Sequence, residues 1–85
     1  MKIIKFEKDN CTPCTLVSSY LDTFSIEYEK INPFNNPELA VKYKVRSVPT
    51  VILIEQGQEL ERVIGFKEEE LKNLINKYLM KFIRK

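Results

Sequence analysis

The apolar pattern of this chain changes period at residues 11–14, and its only two cysteines stand on the change as Cys11-Thr12-Pro13-Cys14. Before it, Lys2 to Glu7 reads as a short strand, with Ile4 and Phe6 on one face and Ile3 and Lys5 on the other. After it, Leu16, Val17, Tyr20, Leu21 and Phe24 recur at helical spacing, so a helix is expected from Thr12 to Phe24. A dithiol at such a junction can cycle to a disulfide. The thiolate is the nucleophile in that exchange, and a helix N-terminus favours it. Two other readings of the pair stand beside this one, a pair of inert buried thiols and half of a zinc site. Zinc wants four ligands, and with no His and no further Cys only a dimer could supply them.

The remaining elements alternate in type. Ile26 to Ile31 reads as a second strand, apolar and charged by turns. Asn36-Pro37-Glu38 starts a helix, since Asn caps, Pro suits the first helical position and Glu favours the positive end of the dipole. Leu39, Ala40 and Tyr43 give that helix its apolar side. Val51-Ile52-Leu53-Ile54 is apolar without alternation, as in a strand covered on both faces. Gln56-Gly57-Gln58 offers a turn, and Leu60 to Ile64 returns as the hairpin partner. A last helix carries Leu71, Leu74, Ile75, Tyr78, Leu79 and Phe82 in one stripe. Its early Glu68, Glu69 and Glu70 and late Lys77, Lys81, Arg84 and Lys85 complement the dipole. The order β-α-β-α-β-β-α implies an α/β fold, a four-stranded mixed sheet with helices on both faces, entered through a right-handed βαβ crossover.

Residues 1–85 suffice for a single domain, and a core of this size can stand without metals or extra cross-links. A net charge of +2 announces no nucleic-acid partner. No apolar stretch has the length of a membrane span or the form of a signal peptide. A cytoplasmic protein is expected, and there a close cysteine pair serves redox chemistry or metal binding rather than permanent stapling.

With these elements in order, the chain resembles a small member of the thioredoxin superfamily, a glutaredoxin-like thioredoxin with a Cys-Thr-Pro-Cys active site. The likeness rests on Cys11 to Cys14 at the strand-to-helix junction, on Ser47-Val48-Pro49-Thr50 before the apolar strand, and on Gly65 after the hairpin. The resemblance implies the thioredoxin fold, a cis Val48-Pro49 bond packed against the dithiol, attack by Cys11 on a substrate disulfide, and resolution by the more buried Cys14. Thr12 and Pro13 would shape the contact surface, Val48 would offer its backbone to an extended substrate, and Gly65 would keep the groove floor open. Phe66 is a candidate groove wall, with a plain cap contact as the alternative.

The chain also departs from that family's pattern. Asn10 stands where a Trp usually precedes the first cysteine, and the chain has no Trp. Lys5 stands where thioredoxins bury an Asp behind the cysteines, and Lys30 matches that acid's usual lysine partner. Lys5 is expected to snorkel past the sheet edge into solvent, as most lysines do. The alternative is an ammonium behind the active site that favours the Cys14 thiolate. The core-preceding β-α segment of full-length thioredoxins is not present ahead of Lys2. Against a glutathione-using glutaredoxin stand Thr50 after the proline and Gly65-Phe66-Lys67 in place of a Gly-Gly pair.

The function so implied is a protein-disulfide reductase, needing no cofactor or metal of its own. Thioredoxin reductase would recycle it, and ribonucleotide reductase or peroxide-reducing thiol enzymes would be among its partners. Neither nucleic acid nor membrane is an expected partner, and the protein is expected to be monomeric. The alternatives are a glutathione-dependent glutaredoxin, a non-catalytic thioredoxin-like protein-binding module, and a dimer bridging an iron–sulfur cluster through Cys11.

Overall fold

The apolar run Val51 to Ile54 becomes the middle of the molecule because both of its faces find cover. The computed structural model describes residues 1–83, in the order β1 (Lys2–Phe6), α1 (Thr12–Asp22), β2 (Glu29–Ile31), α2 (Pro37–Lys42), β3 (Thr50–Glu55), β4 (Gln58–Ile64) and α3 (Glu68–Ile83). The four strands make one sheet in the order β2-β1-β3-β4. β1 runs parallel to β2 and antiparallel to β3, and β3 is antiparallel to β4. The expected α/β architecture is therefore present. Phe82's side chain, Arg84 and Lys85, which the sequence assigns to the last helix, lie outside the described residues.

The alternation in β1 divides the core. Ile3, Val51, Leu53 and Val63 face α1 and α3, where Val17, Leu21, Leu71, Leu74 and Ile75 close over them. Ile4, Phe6, Ile31, Ile52 and Ile54 face the other way, toward Leu39, Tyr43, Val45 and Val48 around α2. Each fully buried aliphatic side chain contributes about 1.5–3 kcal/mol of transfer free energy. No residue of α2 is itself buried, so the α2 side is the thinner of the two. Among the described residues no helix is long and apolar enough to cross a membrane.

Several boundaries differ from the sequence expectation: β1 ends at Phe6 rather than Glu7, β4 begins at Gln58 rather than Leu60, and α1 and β2 are shorter than expected. α1 stops at Asp22, where the Thr23 N–H donates to the Tyr20 carbonyl and the Phe24 N–H to the Leu21 carbonyl. Phe24 lies beyond the helix yet keeps its place on the apolar stripe, its ring 5.2 Å from that of Tyr20. β2 is only Glu29–Ile31, because the preceding Ile26 and Tyr28 pack against the α1–α3 core from a loop without pairing to β1.

Register brings the chemistry to one end. Phe6 pairs with Ile31 and with Thr50, and Thr50 pairs with Ile64, so these residues form one row across the sheet. The segments that leave or enter the sheet there are 7–11, 32–36, 43–49 and 65–67. They carry Cys11, Phe34, Val48-Pro49 and Gly65-Phe66, which are scattered in sequence and gathered by the pairing.

Candidate active site

Cys11 is the N-cap of α1. It sits in extended backbone at φ −123° and ψ 104°, and its Sγ accepts a hydrogen bond of 3.2 Å from the Cys14 N–H. Its carbonyl meanwhile accepts from the Thr15 N–H at 3.1 Å, closing the first turn. A sulfur in the place of a capping oxygen thus faces the unpaired N–H groups of the helix start. The first turn of α1 has no acidic residue, so no carboxylate competes for that positive end. Pro13 fits within this turn because its missing N–H has no helical partner to lose.

Cys14 stands one turn further in and is 3% exposed, whereas Cys11 is half-buried. The two are joined as a disulfide with Cα atoms 5.2 Å apart. Thr12 and Pro13 are exposed beside them. Asn10, in the place of the expected Trp, takes a left-handed φ of 54° at the turn into the helix, a conformation asparagine tolerates better than most residues.

Behind Cys14 the structure corrects the expectation for Lys5. Its side chain is 1% exposed, and it does not snorkel into solvent. It belongs to the same face of β1 as Ile3 and so points under α1. There Nζ donates to the Cys14 carbonyl at 2.8 Å, to Glu7 Oε1 at 2.5 Å and to Ser18 Oγ. An ammonium has three N–H donors, and all three are used. A buried lysine without such partners would be expensive. Lys5, Glu7, Lys8, Cys14, Ser18 and Lys30 border a recess of about 230 Å³. Lys30 is exposed on its rim, with Nζ 5.7 Å from the centre of the Tyr28 ring. Glu7 and Ser18 escaped the sequence reading. Their signals were present as an i+2 carboxylate beyond Lys5 and a hydroxyl at i+4 from Cys14.

In front, the Val48-Pro49 peptide bond is cis. Pro49 is buried, its carbonyl accepts from the Gly65 N–H at 2.8 Å, and Thr50 Oγ1 bonds the Ser47 carbonyl at 2.8 Å. These contacts tie down the residues on either side of Val48. The N–H and carbonyl of Val48 itself meet no hydrogen-bonding partner among the described residues. Gly65 has φ +83°, and a Cβ there would meet no atom within 4 Å. The position therefore needs glycine for its backbone, and the space beside it is open. Phe66 makes the cap contact: it is 38% exposed and stands edge-on to Tyr20 with centroids 6.3 Å apart. It does not line the recess of about 480 Å³ formed by Lys8, Phe34, Val45, Arg46, Ser47 and Val48.

A domain model described as Thioredoxin matches residues 1–77. The chain belongs to the thioredoxin family. It is 42% identical over 76 residues to the SPbeta prophage-derived thioredoxin-like protein YosR of Bacillus subtilis, covering 88% of this chain and 95% of that one. It is 31% identical over 86 residues to thioredoxin of Staphylococcus aureus, covering 93% and 83% of the two chains. The structure of thioredoxin 1 from the thermophilic eubacterium Thermosipho africanus superposes with a TM-score of 0.74 at 30% identity, covering 99% of this chain and 100% of that one. Membership in this family, with a cysteine pair at disulfide distance on a helix N-terminus, makes the chain a thiol-disulfide oxidoreductase acting on protein disulfides. The glutaredoxin and binding-module alternatives are not favoured.

Proposed function

We propose that Cys11 attacks and Cys14 resolves. The observation that supports this order is the difference in access, a half-buried Cys11 at the helix cap against a Cys14 that is 3% exposed. The Cys11 thiolate attacks one sulfur of the substrate disulfide, the substrate S–S bond breaks, and the departing thiolate takes a proton. Cys14, deprotonated, then attacks Cys11 Sγ, the mixed disulfide breaks, and the second substrate thiol leaves. Two electrons pass to the substrate, and the Cys11–Cys14 disulfide remains. The cysteines are three positions apart, so the second step is intramolecular and benefits from proximity.

In this reading Val48 holds an extended substrate segment through its free backbone groups, Thr12, Pro13 and Gly65 border the same groove, and Phe66 supports it from the side. The buried Lys5 ammonium favours the Cys14 thiolate by charge attraction without acting as a base, and Lys30 adds a weaker, solvent-screened positive charge. Residues 1–85 act as one monomeric catalytic domain of the cytoplasm, recycled by a flavin-dependent thioredoxin reductase and serving reductive enzymes such as ribonucleotide reductase.

A Cys14→Ser variant tests the order of attack. Its expected result is accumulation of substrates as mixed disulfides on Cys11, identified by mass spectrometry. Trapping on Cys14 in a Cys11→Ser variant but not on Cys11 in Cys14→Ser, or no trapping by a Cys11 thiol proven reactive, would refute the assignment. Recycling by purified thioredoxin reductase with NADPH, compared with glutathione and glutathione reductase, tests the proposed electron source.

A further inference from the structure

Four features meet at the recess beside Val48, and three of them, Phe34, Lys8 and Arg46, have no part in the dithiol cycle as described. Phe34 is 78% exposed, which is unusual for a phenylalanine at the chemically active end of a sheet. It is held in that position. Asn32 Oδ1 accepts from the Phe34 N–H at 2.9 Å, and the Asn32 carbonyl accepts from the N–H groups of Asn35 and Asn36 at 3.0 Å. Beside it, Val48 supplies apolar surface and an unpaired backbone N–H and carbonyl. Lys8 and Arg46 border the same recess, and no carboxylate does. Among the described residues neither cation makes an ion pair or a side-chain hydrogen bond.

Lys44 and Lys67 also lack an ion pair among the described residues, so the distinguishing observation is that Lys8 and Arg46 share one recess with no carboxylate, whereas two nearby cations are neutralised. Lys5 bonds Glu7, and Arg62 bonds Glu59 and the Tyr43 carbonyl. We infer that this recess docks an extended, acidic segment of the disulfide-bearing partner, with an apolar side chain of that segment resting on Phe34 and Val48. The inference rests on the thiol-disulfide oxidoreductase reading and adds to it the chemistry of the preferred substrate. Val48 pairs with the segment's main chain in the manner of an added strand, which supplies affinity without sequence preference. Carboxylates of the segment meet Lys8 and Arg46, which supplies preference and speeds encounter. The apolar contact with Phe34 fixes the position of the segment along the recess.

The test uses pre-reduced protein in single turnover, so that its own dithiol is the reductant and no recycling enzyme enters. Three disulfides are compared: a peptide with Asp, Glu and Leu flanking its disulfide, a matched peptide with Lys and Leu, and neutral bis(2-hydroxyethyl) disulfide. The acidic peptide is expected to react about 10-fold faster than the basic one at low ionic strength, a preference that salt erodes. Arg46→Glu, and Lys8→Glu combined with it, should reverse the ratio once each variant is normalised to its own rate with the neutral disulfide. Phe34→Ser should slow the acidic peptide with Leu several-fold more than the same peptide with Leu replaced by Ser. Peptide rates within about 2-fold of each other, or a preference indifferent to charge reversal, would overturn the inference and leave the oxidoreductase reading standing. Failure to reduce the neutral disulfide would remove both.

Discussion

The recess behind Cys14 and the recess beside Val48 are both bordered by lysine, and they differ in what the lysine finds there. Behind Cys14, Lys5 is 1% exposed and spends its three donors on Glu7, Ser18 and the Cys14 carbonyl. Beside Val48, Arg46 and Lys8 are exposed and have no partner among the described residues, and Lys8 stands between the two recesses and borders both. The same ammonium chemistry therefore acts inward in one place and outward in the other. A satisfied buried cation fixes the position and charge environment of the helix turn that bears Cys14. An unsatisfied surface cation leaves its binding capacity to a visitor.

The sharpest way to break this contrast is to neutralise each lysine alone. Lys5→Gln removes a buried, fully bonded ammonium, while the half-buried Glu7 can turn to solvent, so a loss of about 1–2 kcal/mol in denaturant unfolding is expected. The same variant should raise the Cys14 thiol pKa, read by thiolate absorbance in a Cys11→Ser background, and slow resolution several-fold near neutral pH. Lys8→Gln should move stability by less than about 0.5 kcal/mol. Equal losses, or an unmoved Cys14 titration in Lys5→Gln, would dissolve the distinction.

A second variant asks whether the outward-facing end is held by backbone rather than by side-chain packing. Gly65→Ala adds a methyl group that meets nothing, yet forces an L-residue to φ +83°. A cost of about 1 kcal/mol is expected in thermal or chemical unfolding. A neutral result would mean that the loop relaxes, and that the opening beside Pro49 is less fixed than the row of strand ends suggests.

The smallest expected effect concerns pH. The hydrogen bond from Arg62 holds the Glu59 carboxyl below its usual value, and Arg62 also bonds the carbonyls of Tyr43 and Lys44 at the entry to the 43–49 loop. A depressed carboxylate pKa adds stability that is complete above the unfolded-state value near 4.5 and is lost as pH falls through the folded value. Glu59→Gln should therefore cost a few tenths of a kcal/mol, about 0.3, at neutral pH, since the pair is partly exposed. The gap between variant and parent should narrow below pH 4.5 and close as pH falls through the lower folded-state value. A gap that persists in acid would assign the effect to packing.

The sequence was most legible where burial follows a period. The α3 stripe, the unbroken apolar β3 and the pattern change at Cys11 all report directly which side of an element is covered. The same signal overextended β2, because Ile26 and Tyr28 alternate as a strand would while packing from a loop. Periodicity registers burial, whereas a strand also needs a hydrogen-bonding neighbour. Lys5 was illegible for another reason. Its exposure in most proteins reflects the rarity of three acceptors in one place, and here one of the three is a backbone carbonyl, which leaves no trace in residue identity. Phe34 and Arg46 became meaningful only when strand register put their loops next to Val48.

The sheet's two outer strands bear on how such a protein survives crowding. An unpaired strand edge invites another chain to add to it, and aggregation starts there. On one side β2 has three residues, with Glu29 and Lys30 exposed, too short and too charged to template a neighbour. On the other, β4 is longer and bears Glu59, Glu61 and Arg62, with a bulge where its pairing with β3 shifts between Leu53 and Ile54. Both borders discourage strand addition, while the unpaired backbone of Val48 at the strand entrance remains available. Charge and shortness on one flank and charge and a bulge on the other thus work against self-association of the sheet, while Val48, at the same end of the sheet as Cys11, keeps unpaired backbone groups among the described residues.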